Sequence, residues 1–338
     1  MTRRARGHGP LALLLRLGGN LIALAGRRRR RLCILTYHRI LERPDPLLES
    51  EVDLASFRWQ MRLLADGFNV LPLPEALQRM RQGTLPPRAV CISFDDGYRS
   101  VCELALPVLQ EFGLTATIFA TTAHLDDGSM WNDRILEAVR RLPEGAFDWE
   151  ALGLPPALAA GRKGGVVSDA ESRLHIATVI NEYAKYMPPP ERLRVIAALE
   201  QCAGNPDTAD LMLDRAMIVA LTRAGNEIGG HTVTHPILSK VEDEHALREI
   251  VDNKHALEQI VRQPLRLFAY PNGKAGVDYD MRHVRMIGAA GYDAAFTTAG
   301  GSAGPDSARY EIPRGRPWDR TPIMFGLRLL RWLAQRGA

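Results

Sequence analysis

The sequence has no apolar run long enough to cross a bilayer, no CxxC pair and no histidine after His283. Its longest apolar stretch, Pro10 to Gly26, is interrupted by Arg16 and Asn20 and falls short of the ~20 residues a spanning helix needs. Five arginines, Arg27 to Arg31, follow it directly, and no small-x-small cleavage site precedes them, so it does not read as a signal peptide. The four cysteines (Cys33, Cys91, Cys102 and Cys202) lack framework spacing, and Cys33 and Cys91 sit inside apolar runs. Buried thiols in a reducing compartment are therefore expected, not disulfides. Aromatics are sparse at 7% and are not interleaved with the terminal arginines. With no zinc-finger, helix-turn-helix or RNP pattern, a nucleic-acid partner is excluded. There is no internal repeat and no low-complexity segment.

What is present describes a globular chain of 338 residues, 46% hydrophobic and 24% charged, enough for one large α/β domain or two medium ones. The net charge of +4 is concentrated at the ends, in Arg3, Arg4, Arg6, Arg16 and Arg27 to Arg31, and in Arg328, Arg331 and Arg336. The segment 1–31 is basic and apolar, and 321–338 holds a basic amphipathic pattern from Ile323 to Arg336. Both suit helices lying on an anionic membrane surface, although the first also reads as a frayed tail. The expected location is cytoplasmic, peripheral at the inner face of the membrane.

Between these ends, residues 32–320 alternate strand and helix signals. Leu32 to Tyr37, Phe68 to Leu71, Val90 to Phe94, Thr115 to Ala120, Glu227 to Gly229, Leu265 to Tyr270, Tyr292 to Thr298 and Tyr310 to Pro313 read as strands. Helical patterns separate them, with short links that imply parallel strands and right-handed crossovers. Eight strands suit a distorted (β/α) barrel. Residues 126–213 break the alternation. Their patterns are mostly helical (Trp131 to Arg141, Ser168 to Tyr186, Pro189 to Cys202), and they predict an inserted helical subdomain. Trp131 suits either sugar stacking or packing.

Two short motifs carry chemistry. In Ser93-Phe-Asp95-Asp96-Gly97, two adjacent carboxylates end a buried strand. A solvated turn is one reading; the other is a divalent metal as counter-ion, ligated by one carboxylate while its neighbour takes a proton. In His231-Thr-Val-Thr-His235, two imidazoles follow a strand and two glycines, at a spacing that suits a strand end opening into a first helical turn. Joined at converging strand ends, two imidazoles and one carboxylate make a facial metal-binding set.

These motifs, with Gly-Leu-Thr-Ala-Thr-Ile-Phe119, Ala224-Gly-Asn-Glu-Ile-Gly229 and Phe268-Ala-Tyr-Pro-Asn-Gly273, resemble those of the polysaccharide deacetylases, the NodB-homology group of carbohydrate esterase family 4. The resemblance spans roughly residues 32 to 317. It implies Asp95 as general base and Asp96, His231 and His235 as ligands of a divalent metal, usually zinc. It also implies that Tyr270, Pro271 and Asn272 line the groove, with the Asn272 N–H in the oxyanion hole. Two departures stand out. The arginine that orients the base in the family falls at Ala269, so Arg314 or Arg316 is expected to substitute. The C-terminal Leu-x-His that supplies the catalytic acid is missing. In a permuted branch, similar to the deacetylases of poly-N-acetylglucosamine biofilm polymers, that histidine lies on the first strand, and Leu35-Thr-Tyr-His38 fits. His38 otherwise reads as a structural strand-end histidine. His124, His245, His255 and His283 are expected to be ordinary surface residues.

The resemblance implies removal of acetyl groups from an N-acetylated sugar of a glycan or lipid-linked precursor, as in exopolysaccharide biosynthesis. An O-acetyl carbohydrate esterase and a non-catalytic carbohydrate-binding relative are the alternatives. A phosphoesterase would want two metals and more carboxylates than the sequence offers.

Overall fold

The computed structural model describes residues 9–25, 30–126, 128–159, 165–206 and 211–335. They fall into two compact units. One comprises the described residues of Met1–Arg43, Ser50–Ala123 and Leu213–Ala338; the other comprises those of Pro44–Glu49 and His124–Met212.

The first unit is built on an eight-stranded sheet. Its strands are β1 (Leu32–Tyr37), β2 (Asn69–Val70), β3 (Ala89–Phe94), β4 (Thr117–Ala120), β5 (Glu227–Gly230), β6 (Leu267–Ala269), β7 (Ala294–Phe296) and β8 (Ser302–Ala303). The order is β7-β6-β5-β4-β3-β1-β8, with β2 also on β3. β1 and β3 pair in parallel along their whole length, Leu32 beside Ala89 and Tyr37 beside Phe94. β2 and β4 share the other edge of β3, at its start and its end. Every residue of β1 and β3 is buried. Strands covered on both faces can be almost continuously apolar, which is why these two read as hydrophobic runs broken only by Thr36 and Ser93. Cys33 and Cys91 lie within them as buried free thiols.

The sheet curls into a distorted barrel, and its closure is irregular. β8 pairs antiparallel with the start of β1. Beyond it the segment 312–315 bridges the gap. The Ile312 N–H donates to Ala295 O at 2.9 Å and Ile312 O accepts from Thr297 N–H at 2.9 Å. Gly315 N–H donates to Ile34 O at 2.8 Å, and Gly315 O accepts from Thr36 N–H at 3.0 Å. Of the expected strand from Tyr310 to Pro313 only Ile312 pairs, in an isolated bridge; Pro313 has no N–H to continue a ladder, and the second bridge lies beyond it at Gly315. Arg314 stands between the two bridges and is wholly buried.

Helices cover the outside. In the one after β3, Val101–Ala105 is a π turn and Leu106–Phe112 is α-helical. Pro107 has no N–H to give, and Leu106 N–H reaches back to Val101 O. The helix Pro10–Ala25 lies against Pro322–Ala334 and Leu54–Gly67.

The second unit packs Trp131–Arg141, Ala170–Ala184 and Pro189–Cys202 around Ile135, Val139, Ile176, Ile180, Ile196 and Leu199. Leu47 joins that core, which ties Pro44–Glu49 to this unit. Arg134 makes two 2.7 Å bonds to Glu200. A two-residue antiparallel pair, Gly145–Ala146 with Val166–Val167, is its only sheet among the described residues. Trp131 packs against the core with the Arg192 guanidinium 4.6 Å over its ring, so packing accounts for it.

Candidate active site

Because β1, β3, β4, β5, β6 and β7 are parallel neighbours, their carboxyl ends open on one rim of the barrel, the side where α/β sheets place their ligands. The rim collects the residues that follow each strand: His38 after β1, Asp95 and Asp96 after β3, His231 after β5, and Tyr270 to Asn272 after β6.

At the end of β3 the backbone turns sharply. Asp95 N–H still donates to Tyr37 O at 2.9 Å, continuing the β1 pairing. Asp96 takes a left-handed φ of 72° and Gly97 one of 90°. A Cβ at Gly97 would lie 3.3 Å from that of Ala120, so glycine answers both the φ and the crowding. The two carboxylates are thereby aimed apart. Asp95 receives both ends of the Arg314 guanidinium, at 2.6 and 2.7 Å. Arg314 also donates to Ser93 Oγ at 3.2 Å, and its guanidinium stands 5.1 Å from the Phe119 ring centre. Burial alone would raise the Asp95 carboxyl, but Arg314, with His231 and His38, holds it below the usual carboxylate range.

Asp96 faces the histidines. Its Oδ1 is 3.3 Å from His231 Nε2 and 3.4 Å from His235 Nε2. One donor atom from each of the three residues lies within 4.8 Å of the others, the only such cluster among the described residues. His231 Nδ1 donates to Ala269 O at 2.7 Å, so in the neutral ring Nε2 is left as the free ligand atom. Burial pushes His235 down to about 4, so its ring is neutral at ordinary pH, the state that ligates. His231 is raised: burial lowers it, but its bond to Asp96 and the two aspartate charges outweigh that. The donor set suits a divalent metal of the zinc type.

The His231–His235 segment is a loop, not the expected helical turn. Thr232 and His235 have φ of 67° and 57°, a left-handed backbone that costs a non-glycine residue roughly 1–2 kcal/mol. Glu249 offsets this, accepting from Val233 N–H and Thr234 N–H at 2.8 Å and from Thr234 Oγ1 at 2.7 Å. One helical turn on, Asn253 accepts from His231 N–H at 3.1 Å and donates to Ala120 O and Thr232 O. A Cβ at Gly230 would run into the Tyr292 hydroxyl and stand 2.8 Å from Asn253 Oδ1, which explains the second glycine before His231. Glu249 and Asn253 escaped the sequence reading. Their only signal is a four-residue spacing on the helix Asp243–Val261.

Of eight non-glycine residues with positive φ among those described, four belong to this rim: Asp96, Thr232, His235 and Asn272. Such clustering is characteristic of functional sites. Asn272 O accepts from Thr298 Oγ1 at 2.6 Å. Tyr270 is buried, stacked on Tyr279 with ring centres 3.8 Å apart, and its hydroxyl has no partner among the described residues. Pro271 O accepts from Gly273 N–H at 2.6 Å, closing the turn.

The β1–β3 register places His38 beside Asp95. His38 is not in the metal-donor cluster formed by Asp96, His231 and His235. Its Nδ1 is buried without a partner among the described residues. Of the two arginines expected to orient Asp95, Arg314 is the one that pairs with it. Arg316, two residues on and beyond the bridge to β1, pairs with Glu51 and stacks over Trp318. His283 is fully buried, not at the surface, because its Nδ1 accepts from Asp280 N–H in a helix cap.

The family model for polysaccharide deacetylase matches residues 82–151 and 195–295. A poly-β-1,6-N-acetyl-D-glucosamine N-deacetylase of Staphylococcus epidermidis is 29% identical over 135 residues, 35% of this chain and 46% of the relative. One of Staphylococcus aureus is 32% identical over 82 residues, 24% of this chain and 28% of the relative. The matched part is thus less than half the length of these curated relatives. The Streptococcus pyogenes deacetylase PplD in complex with acetate has a similar fold, with TM-score 0.57, 18% identity, and 90% of this chain and 98% of that one covered. IcaB from Ammonifex degensii gives TM-score 0.55 at 16% identity, with the same shares covered.

The Arg314–Asp95 pair generates a test. Arg314→Met strands a buried carboxylate and should destabilise the protein by about 3–5 kcal/mol in urea unfolding. Adding Asp95→Asn should recover more than half of that loss. Additive losses in the double mutant would show that the two side chains do not act as a pair.

Proposed function

Since the chain belongs to the polysaccharide deacetylase family, we propose that it is a metal-dependent hydrolase that removes acetyl groups from N-acetylated sugars of a glycan. The observation that carries this reading is the division of labour at the end of β3: Asp96 faces two histidines while Asp95, next to it, is held separately by Arg314. A polymer such as the poly-N-acetylglucosamine named for the relatives is the favoured substrate, in exopolysaccharide biosynthesis; a lipid-linked precursor would present the same acetamide.

Asp96, His231 and His235 are the residues to hold the ion, most simply Zn²⁺. When bound it supplies Lewis acidity, which acidifies a water and polarises the acetyl carbonyl. Asp95, kept ionised and oriented by the Arg314 fork, takes the proton of the attacking water. The Asn272 N–H, in a turn pinned to Thr298, donates to the developing oxyanion. His38 delivers the proton that the departing amine requires. Buried polar atoms are nearly always paired, so its orphaned Nδ1 is suited to a substrate contact.

The barrel at 32–320, the helical insert at about 126–213 and the terminal helix in 321–338 complete the reading of the chain. No helix among the described residues is long and apolar enough to cross a membrane. A cytoplasmic location, peripheral at the inner membrane face, is part of the proposal.

Acetate release from β-1,6-linked N-acetylglucosamine oligomers should cease with a chelator and return with zinc. It should exceed release from O-acetylated sugars of equal length. Preference for the O-acetyl series would make the protein an esterase, and no release from either would leave a carbohydrate-binding relative.

His38→Ala should slow amide hydrolysis by about 10²–10⁴-fold and retain the metal. On an aryl acetate, whose leaving group needs no proton, the loss should be far smaller. Equal losses on both substrates would return His38 to a structural role.

A further inference from the structure

The helices Pro10–Ala25 and Pro322–Ala334 are far apart in sequence but run side by side and parallel. Leu15 lies against Gly326, and Leu330 lies against Gly18 and Gly19. The contacts advance along both helices together, and three glycines allow the close approach. Each helix turns its inner face to the barrel. Leu15 also rests on Gly67, Phe325 makes an edge contact with Trp59 at 5.6 Å, and Leu329 O accepts from Cys33.

With inner faces and register fixed in this way, both outer rows lie on the side away from the barrel, and both are apolar. On the first helix Leu13, Leu14, Leu17, Leu21 and Leu24 are between 54% and 68% exposed. On the second, Ile323, Met324 and Leu327 are between 53% and 58% exposed, and exposed Arg331 continues the row. Scattered surface leucines mean little, but eight large apolar side chains on two adjoining helices mark an interaction surface.

Charge selects the partner. Residues 1–31 and 321–338 hold 12 arginines and no lysine, aspartate or glutamate, which leaves 31 of the 43 basic side chains for the rest, against all 39 acidic ones. The chain is therefore cationic at these ends and anionic over the remainder. A second copy would set arginine against arginine, whereas an anionic lipid surface offers both hydrocarbon and negative charge. The exposed Trp318, four residues before the C-terminal helix begins, has the amphipathic ring favoured at such interfaces.

We propose that the outer face of this parallel helix pair is a membrane-docking surface for anionic lipid, with leucines entering the headgroup boundary and arginines contacting the headgroups. The face belongs to the barrel unit, so docking would hold that unit at a lipid surface whatever its substrate.

The test is flotation of the full chain with phosphatidylcholine vesicles, with and without phosphatidylglycerol. Binding should require phosphatidylglycerol and weaken as salt is raised. The combined variant Leu17→Glu, Leu21→Glu, Leu327→Glu should bind at least about tenfold less, since each leucine contributes to insertion and each new charge is repelled. Its circular dichroism and thermal midpoint should match the parent. Arg331→Glu with Leu327→Ser serves as a milder second variant, expected to weaken binding in the same direction. No vesicle binding, equal binding to phosphatidylcholine alone, or binding unmoved by both variants would overturn the proposal. A dimer that these substitutions dissociate, without vesicle binding, would also overturn it and assign the face to self-association.

Discussion

Two adjacent carboxylates at a buried strand end repel each other, and both stay ionised only if each has its own positive or hydrogen-bonding partner. The barrel meets this constraint through its least regular part. The segment 312–315 closes the gap between β7 and β1 with two isolated bridges and inserts Arg314 between them, into the interior. The guanidinium takes Asp95 with both nitrogens. Asp96, turned away by its left-handed backbone, is left to His231 and His235. Closure of the fold and separation of the two carboxylates thus rest on the same few residues. A buried ion pair of this kind contributes little net stability against a hydrophobic substitute, but losing one partner is costly. Its value here is orientation.

The loop that carries His231 and His235 is held in a similar way. His231 is placed by strand geometry, its ring bonded to the neighbouring strand at Ala269. His235 is placed by a loop whose left-handed residues need support, and Glu249 and Asn253 supply it from one face of one helix. The backbone of this loop is held by hydrogen bonds to carboxylate and amide side chains, not by regular secondary structure.

Much of this was legible in the sequence wherever a local signal existed. β1 and β3 announced themselves as almost continuous apolar runs, since both faces are covered, and Asp-Asp-Gly marked the turn that ends β3. The helices Trp131–Arg141, Ala170–Ala184 and Pro189–Cys202 were visible as apolar patterns in a stretch poor in strand signals. What was illegible depends on distant contacts. Arg314 and Arg316 are alike in sequence, and only the bridges on either side of Arg314 turn it inward while Arg316 meets Glu51. Glu249 looks like any helix-surface acid until the loop it clamps is seen. His283 passed for a surface histidine because a buried helix cap has no signature beyond Asp280 three residues before it. The terminal helices were expected as separate amphipathic segments. Their parallel pairing through Gly18, Gly19 and Gly326 joins two narrow apolar stripes into one broad face.

The central proposal is that Asp96 would hold the metal and Asp95 would not. Calorimetric titration of zinc into the chelator-treated Asp95→Asn and Asp96→Asn proteins, side by side, tests it most directly. The account predicts one equivalent of zinc bound by Asp95→Asn with near-parental affinity, and an affinity at least about tenfold weaker for Asp96→Asn. Equal affinities in the two proteins, or the weaker binding in Asp95→Asn, would contradict it.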